Sequence, residues 1–267
     1  MKQTTTTVPD VAVHPHGVRF PLLFSFIRLP FIAVSAVAVA GIFAAAGTPF
    51  TFPASPLISA LYLAPVNIAC ILLLRAVLHR RGRRIRDLIG FSADRLGRDI
   101  LWGLLWLMVL YLPFALASIG AMFLLYGGDA LTSFEAVFVP APESTPTMSL
   151  AVGLVIAIVV VLTFAPLNAP TEELVYRGYA QSGLRESTGS LWLAILVPAL
   201  GFGIQHLFFA PTPAAMLVFG LAFFVWGVGS GLIYARQRRL MPLIVSHVIV
   251  NLFTSLPALI IPFVAAA

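Results

Sequence analysis

Seven long apolar runs, separated by short polar connections, dominate the chain. A helix needs about 20 predominantly apolar residues to cross the hydrocarbon core of a bilayer. The runs predict spans over roughly Pro30 to Ala46, Leu57 to Leu78, Ile100 to Tyr126, Met148 to Ala165, Leu191 to Phe209, Pro213 to Tyr234 and Met241 to Val264. Phe20 to Leu29 is a further short apolar segment that can stand ahead of the first span as an eighth, interfacial helix. The expected fold class is an all-α polytopic membrane protein of seven helices, or eight with that segment, forming one transmembrane domain over 20–267. Residues 1–19 are polar, carry Thr4 to Thr7 as a run, and lack the basic-then-apolar layout of a cleaved signal. They read as a disordered cytoplasmic tail in which His14 and His16 are solvated rather than metal-binding.

Composition agrees with this pattern. The chain of 267 residues is 60% hydrophobic and 10% charged, with a mean hydropathy of +1.00. The net charge of +6 does not point to nucleic acid, because the basic residues crowd beside apolar runs. They lie at Arg80, Arg81, Arg83, Arg84 and Arg86 after the second run, with Arg95 and Arg98 beyond, and at Arg236, Arg238 and Arg239 after the sixth. The connection between the third and fourth runs holds Asp129, Glu135 and Glu143 and no Lys or Arg. By the positive-inside rule the N-terminus and the basic loops are cytoplasmic. The mixed stretch from Asp87 to Asp99 reads as a short amphipathic helix on the inner surface, its arginines held by anionic lipids. A single cysteine, Cys70, rules out a disulfide framework and a Cys-based metal site.

Against this background the segment Thr171-Glu172-Glu173-Leu174-Val175-Tyr176-Arg177 stands out. A charged residue near the centre of a membrane helix costs about 2.5–3.5 kcal/mol on insertion scales and marks a functional candidate. Pro170 and Thr171 suit the first positions of a helix, which would put both glutamates in its first turn. Glu173 and Arg177 are spaced i, i+4 and can pair, leaving Glu172 without a local partner. The next turn falls near Gly189, 17 positions from both Glu172 and His206. One antiparallel hairpin therefore brings these two residues to the same height, about 25 Å from its tip. His247 and Asn251 are one turn apart on the seventh run, with no sequence neighbour to satisfy them. One polar site among the C-terminal four helices explains all four residues. A proton-coupled transporter is the alternative that membrane Glu and His residues leave open.

The ordered set Glu172-Glu173-x-x-x-Arg177, Phe202-x-x-x-His206 and His247-x-x-x-Asn251 resembles the three-motif signature of the CAAX protease and bacteriocin-processing (CPBP, or Abi) family of intramembrane peptidases. The likeness covers about 148–255; the first three spans carry nothing diagnostic. The resemblance implies that Glu172 is the general base, that His206 helps it hold a water, and that His247 and Asn251 stabilise the oxyanion formed at a peptide carbonyl. Glu173 and Arg177 become an orienting ion pair, and Tyr176 and Phe202 become packing. The implied partners are membrane lipids and a membrane-associated or lipidated peptide, with no nucleic acid. Two points stay open. An idle immunity or interaction protein on the same scaffold is a second alternative. Glu172, His206 and His247 also supply three ligands for a catalytic zinc. The residues favour a metal-free water, because no HExxH pair is present and zinc would consume the base.

Overall fold

In a computed structural model of the chain the described residues are 17–260, and every regular element among them is helical. Among the described residues seven helices are long and apolar enough to cross a membrane. They are α1 (Arg19–Ala45), α2 (Pro56–His79), α4 (Leu150–Thr188), α5 (Leu191–Phe209), α6 (Pro213–Gln237) and α7 (Met241–Leu259), with α3 (Leu96–Tyr126) the long helix of the third span. Residues 1–16, with His14 and His16, and the expected end of the seventh span at Val264 lie outside the described residues.

A short helix, Arg19–Phe26, precedes Arg28–Ala45, as the apolar segment ahead of the first span predicts; only Ile27 separates the two, and together they make the 27 residues of α1. The amphipathic stretch Asp87 to Asp99 is broken. A short helix, Ile85–Ile89, ends at Gly90, whose φ of +64° is left-handed and suits glycine. Leu96 to Asp99 instead begin α3, where Asp99 is buried against Arg239 of the α6–α7 connection.

Helix α4 is the hub. It packs against α1, α2, α5, α6 and α7, while α3 closes the far side against α6 and α7. Small residues permit these close crossings, as membrane helices require when lipid is as apolar as leucine. A Cβ at Gly201 of α5 would lie 1.7 Å from the Ser25 carbonyl oxygen of α1, and one at Gly227 of α6 would lie 3.0 Å from Ala199 of α5. Outward faces are apolar: Leu101, Met108 and Leu124 of α3 are 69, 71 and 76% exposed. That inverted surface is what hydrocarbon solvent selects.

Candidate active site

Helix α4 runs to 39 residues, about twice the length needed to cross a membrane. Pro166 and Pro170 have no N–H to donate within it. The chain adapts by widening to a π-helix over Phe164–Asn168, returns to α-helix at Ala169–Glu172, and widens again over Glu173–Gln181. The expected helix start at Pro170 and Thr171 is therefore absent. Thr171 does not cap; its hydroxyl donates to the Leu167 carbonyl at 2.5 Å. Glu172 and Glu173 sit in mid-helix with their backbone groups already engaged. The wider turn also reduces the angle between successive side chains, so both adjacent glutamates reach the same neighbour, His247.

Asn168, Glu172 and Tyr176 form one polar stripe of α4, at i, i+4 and i+8. Its partner is Arg28 of α1, which is fully buried. The guanidinium donates from Nε to Gln205 Oε1 at 2.7 Å and from one terminal nitrogen to Asn67 Oδ1 at 2.8 Å. The other terminal nitrogen donates to Asn168 Oδ1 at 2.9 Å and to Glu172 Oε1 at 3.1 Å. Gln205 completes the set: its Nε2 donates to Glu172 Oε1 at 2.7 Å, and its Oε1 also accepts from the Tyr176 hydroxyl at 2.9 Å. Glu172 thus has partners after all, supplied by α1 and α5. The first spans, which carry nothing diagnostic in sequence, contribute Arg28 and Asn67. One signal was available, since Arg28 is the only charged residue between Arg19 and Arg75.

Glu173, Arg177 and Gln181 form the neighbouring stripe. Arg177 pairs with Glu173 at 3.4 Å as the spacing predicts, and its guanidinium lies 4.6 Å from the centre of the Phe202 ring. Arg177 also donates to the Gly227 carbonyl at 3.4 Å, and Gln181 to that of Gly231 at 2.8 Å. Gly227 and Gly231 are one turn apart on α6; a Cβ at Gly231 would lie 3.2 Å from Gln181 Oε1 of α4, whereas one at Gly227 would meet Ala199 of α5. Glu173 has a second partner that spacing did not suggest: His247 Nδ1 lies 3.0 Å from Glu173 Oε1. The other ring nitrogen, Nε2, faces Glu172 Oε2 at 3.4 Å. His247 therefore bridges two adjacent carboxylates.

His206 is close by but does not touch Glu172 through any hydrogen bond among the described residues. The hairpin turns at Gly189, with φ of +69°, yet the direct contact comes from Gln205, one residue earlier than the height argument expects. His206 opens a 3-10 turn, engages the Phe202 carbonyl oxygen through Nδ1 at 2.7 Å, and stacks on Phe223 with ring centres 3.5 Å apart. This leaves its Nε2 as the nitrogen free to accept. Asn251 lies one turn along α7 from His247 and is buried. Four buried polar atoms of these site residues have no hydrogen-bond partner among the described residues: Asn67 Nδ2, Glu172 Oε2, Glu173 Oε2 and Asn251 Nδ2.

Two of the three candidate zinc ligands, Glu172 and His247, are engaged by other side chains. Glu172 Oε1 is occupied by Arg28 and Gln205, and both nitrogens of His247 face carboxylates. Among the described residues no three His, Cys, Asp or Glu side chains converge as a metal-holding set. Two carboxylates already face two buried guanidinium groups, so a dication would add uncompensated charge.

Residues 151–253 match the family described as type II CAAX prenyl endopeptidase Rce1-like. No curated protein and no solved structure matches the chain. The matched segment contains Glu172, Glu173, Arg177, His206, His247 and Asn251, whereas Arg28 and Asn67 lie outside it.

Proposed function

We propose that this chain, whose residues 151–253 match the type II CAAX prenyl endopeptidase Rce1-like family, is an intramembrane endopeptidase that cleaves a peptide bond of a membrane-associated substrate with water activated by Glu172 and His206, without a metal. The observation that carries the reading is the asymmetry of Glu172. One carboxylate oxygen is held by Arg28 and Gln205, while the other has no hydrogen-bond partner among the described residues and lies 3.4 Å from His247 Nε2.

The chemistry follows from those positions. Oε2 takes a proton from water as the water oxygen attacks the peptide carbonyl. His206, its Nδ1 committed to the Phe202 carbonyl, accepts from the same water through Nε2 and orients it. The carbonyl oxygen gains negative charge in the tetrahedral intermediate. Asn251 Nδ2 and His247 Nε2 supply donors for it. Donation from Nε2 while Nδ1 serves Glu173 needs the doubly protonated ring, whose charge is compensated by the two carboxylates it bridges. The proton on Glu172 then passes to the leaving amine. Apolar walls strengthen each of these interactions by excluding bulk water.

Glu173 is a positioning residue in this scheme, holding His247 in register and balanced by Arg177. The basic loops support a cytoplasmic N-terminus and a site opening to the cytoplasmic half of the bilayer. A lipidated peptide is the substrate class closest to the family's description. The test is cleavage of a C-terminally prenylated reporter peptide by full-length protein in lipid nanodiscs. Glu172→Gln is expected to lower kcat/KM, measured per folded protein because Arg28 loses its counter-charge, by about 10²–10⁴-fold, the usual contribution of a general base. Activity retained in that variant would overturn the assignment.

A further inference from the structure

At the arginine-rich end of the bundle a pocket of about 570 Å³ opens between α3, α6 and the start of α7. Its lip carries Arg98 and Arg236, and its floor carries Trp102, Trp106 and Leu232. The two tryptophans stack with ring centres 5.3 Å apart, and Trp106 Nε1 donates to Gln237 Oε1 at 2.9 Å, which ties the floor to α6. On the same wall Arg239 is neutralised by Asp99. Arg98 and Arg236 have no such counter-charge: neither has a hydrogen-bond or ion-pair partner among the described residues, and both are exposed.

We propose that this pocket binds the headgroup of an anionic phospholipid, the phosphate resting between Arg98 and Arg236 and the acyl chains running down α3. Three independent features select that occupant. The two uncompensated guanidinium groups want a multidentate anion, which phosphate satisfies through its non-bridging oxygens. Tryptophans gather at headgroup depth, where an apolar ring body meets a polar edge. Below them Leu105, Met108 and Val109 are all exposed along α3, an apolar track continuous with the pocket. A soluble anion would gain the first feature and waste the other two. A zwitterionic lipid would bring its own cation to a site already rich in them. The site lies away from Glu172 and does not depend on the proposed peptidase reaction.

The experiment uses full-length protein purified in mild detergent and measures two things. Native mass spectrometry reads which lipid is retained from an equimolar mixture of phosphatidylglycerol and phosphatidylcholine. Thermal unfolding reads the shift produced by each lipid and by inorganic phosphate. Phosphatidylglycerol should be retained preferentially and should raise the midpoint, with phosphatidylcholine and inorganic phosphate giving smaller shifts. Arg98→Gln with Arg236→Gln should reduce the preference about 30-fold, the effect expected of two arginines at an anionic headgroup, with little change in the midpoint measured in phosphatidylcholine. Should the double variant fail to fold, each single variant should still show part of the loss. Equal retention of the two lipids by the wild type would overturn the proposal, as would undiminished preference in the variants. A shift by inorganic phosphate matching that of phosphatidylglycerol would show a simple anion site instead.

Discussion

Replacing Arg28 by methionine should destabilise this protein as much as a large-to-small change in its apolar core. Methionine has similar length and is at home in hydrocarbon, so insertion itself is not impaired. What disappears is the guanidinium that donates to Gln205, Asn67, Asn168 and Glu172. Counting each bond to a charged group at about 1.5–3 kcal/mol would give a total far above anything measured for one residue, because the four are not independent. The better guide is the cost of leaving one member of a buried pair without its partner, about 3–5 kcal/mol. Glu172 is that member, with no exposure to water. The lower figure already reduces the folded-to-unfolded ratio by more than about 100-fold.

The assay is reversible unfolding in mixed micelles for the wild type, Arg28→Met, Glu172→Gln and the double variant. Because Glu172→Gln removes the stranded charge, the double variant should lose less than the sum of the two single losses. Arg28→Lys should fall between, since a point ammonium keeps the charge but cannot span four acceptors on three helices. A loss below about 1 kcal/mol in Arg28→Met, or strict additivity in the cycle, would refute the claim that this arginine compensates Glu172.

Glu173→Gln should lower both stability and activity, because Glu173 holds Arg177 at 3.4 Å and His247 at 3.0 Å; a fully active Glu172→Gln beside a folded but dead Glu173→Gln, measured by peptide cleavage, would reverse their roles. A cysteine introduced at positions 80–86 should react with an impermeant maleimide only from the cytoplasmic side and one at position 135 only from outside; the opposite pattern would invert the orientation. Exhaustive chelation, verified by elemental analysis, should leave cleavage intact, and activity that vanishes and returns with stoichiometric zinc would overturn the metal-free mechanism.

What could be read from the chain alone was whatever depends on one-dimensional pattern. Apolar runs long enough to cross a bilayer identify the helices, since a backbone in hydrocarbon must satisfy its own polar groups. The i, i+4 spacing identified the Glu173–Arg177 pair, because a helix surface makes those positions neighbours whatever surrounds it. The hairpin count from Gly189 brought Glu172 to the level of His206 for the same reason, and the structure adds the neighbouring Gln205. The limits were equally physical. Pro170 and Thr171 carry the signature of a helix start, and the structure instead runs a continuous helix through them by widening its turn. That choice is made by packing on five neighbouring helices, which no local propensity records. Arg28 showed in sequence only as a lone charge in an apolar run. Its role depends on α1 crossing α4 and α5 where Gly201 admits the Ser25 carbonyl, a contact across 176 positions of chain. The bridging of both glutamates by His247 likewise needs α7 beside the π segment of α4. Spacing along a helix tells which side chains share a face, and only the packed bundle decides what that face meets.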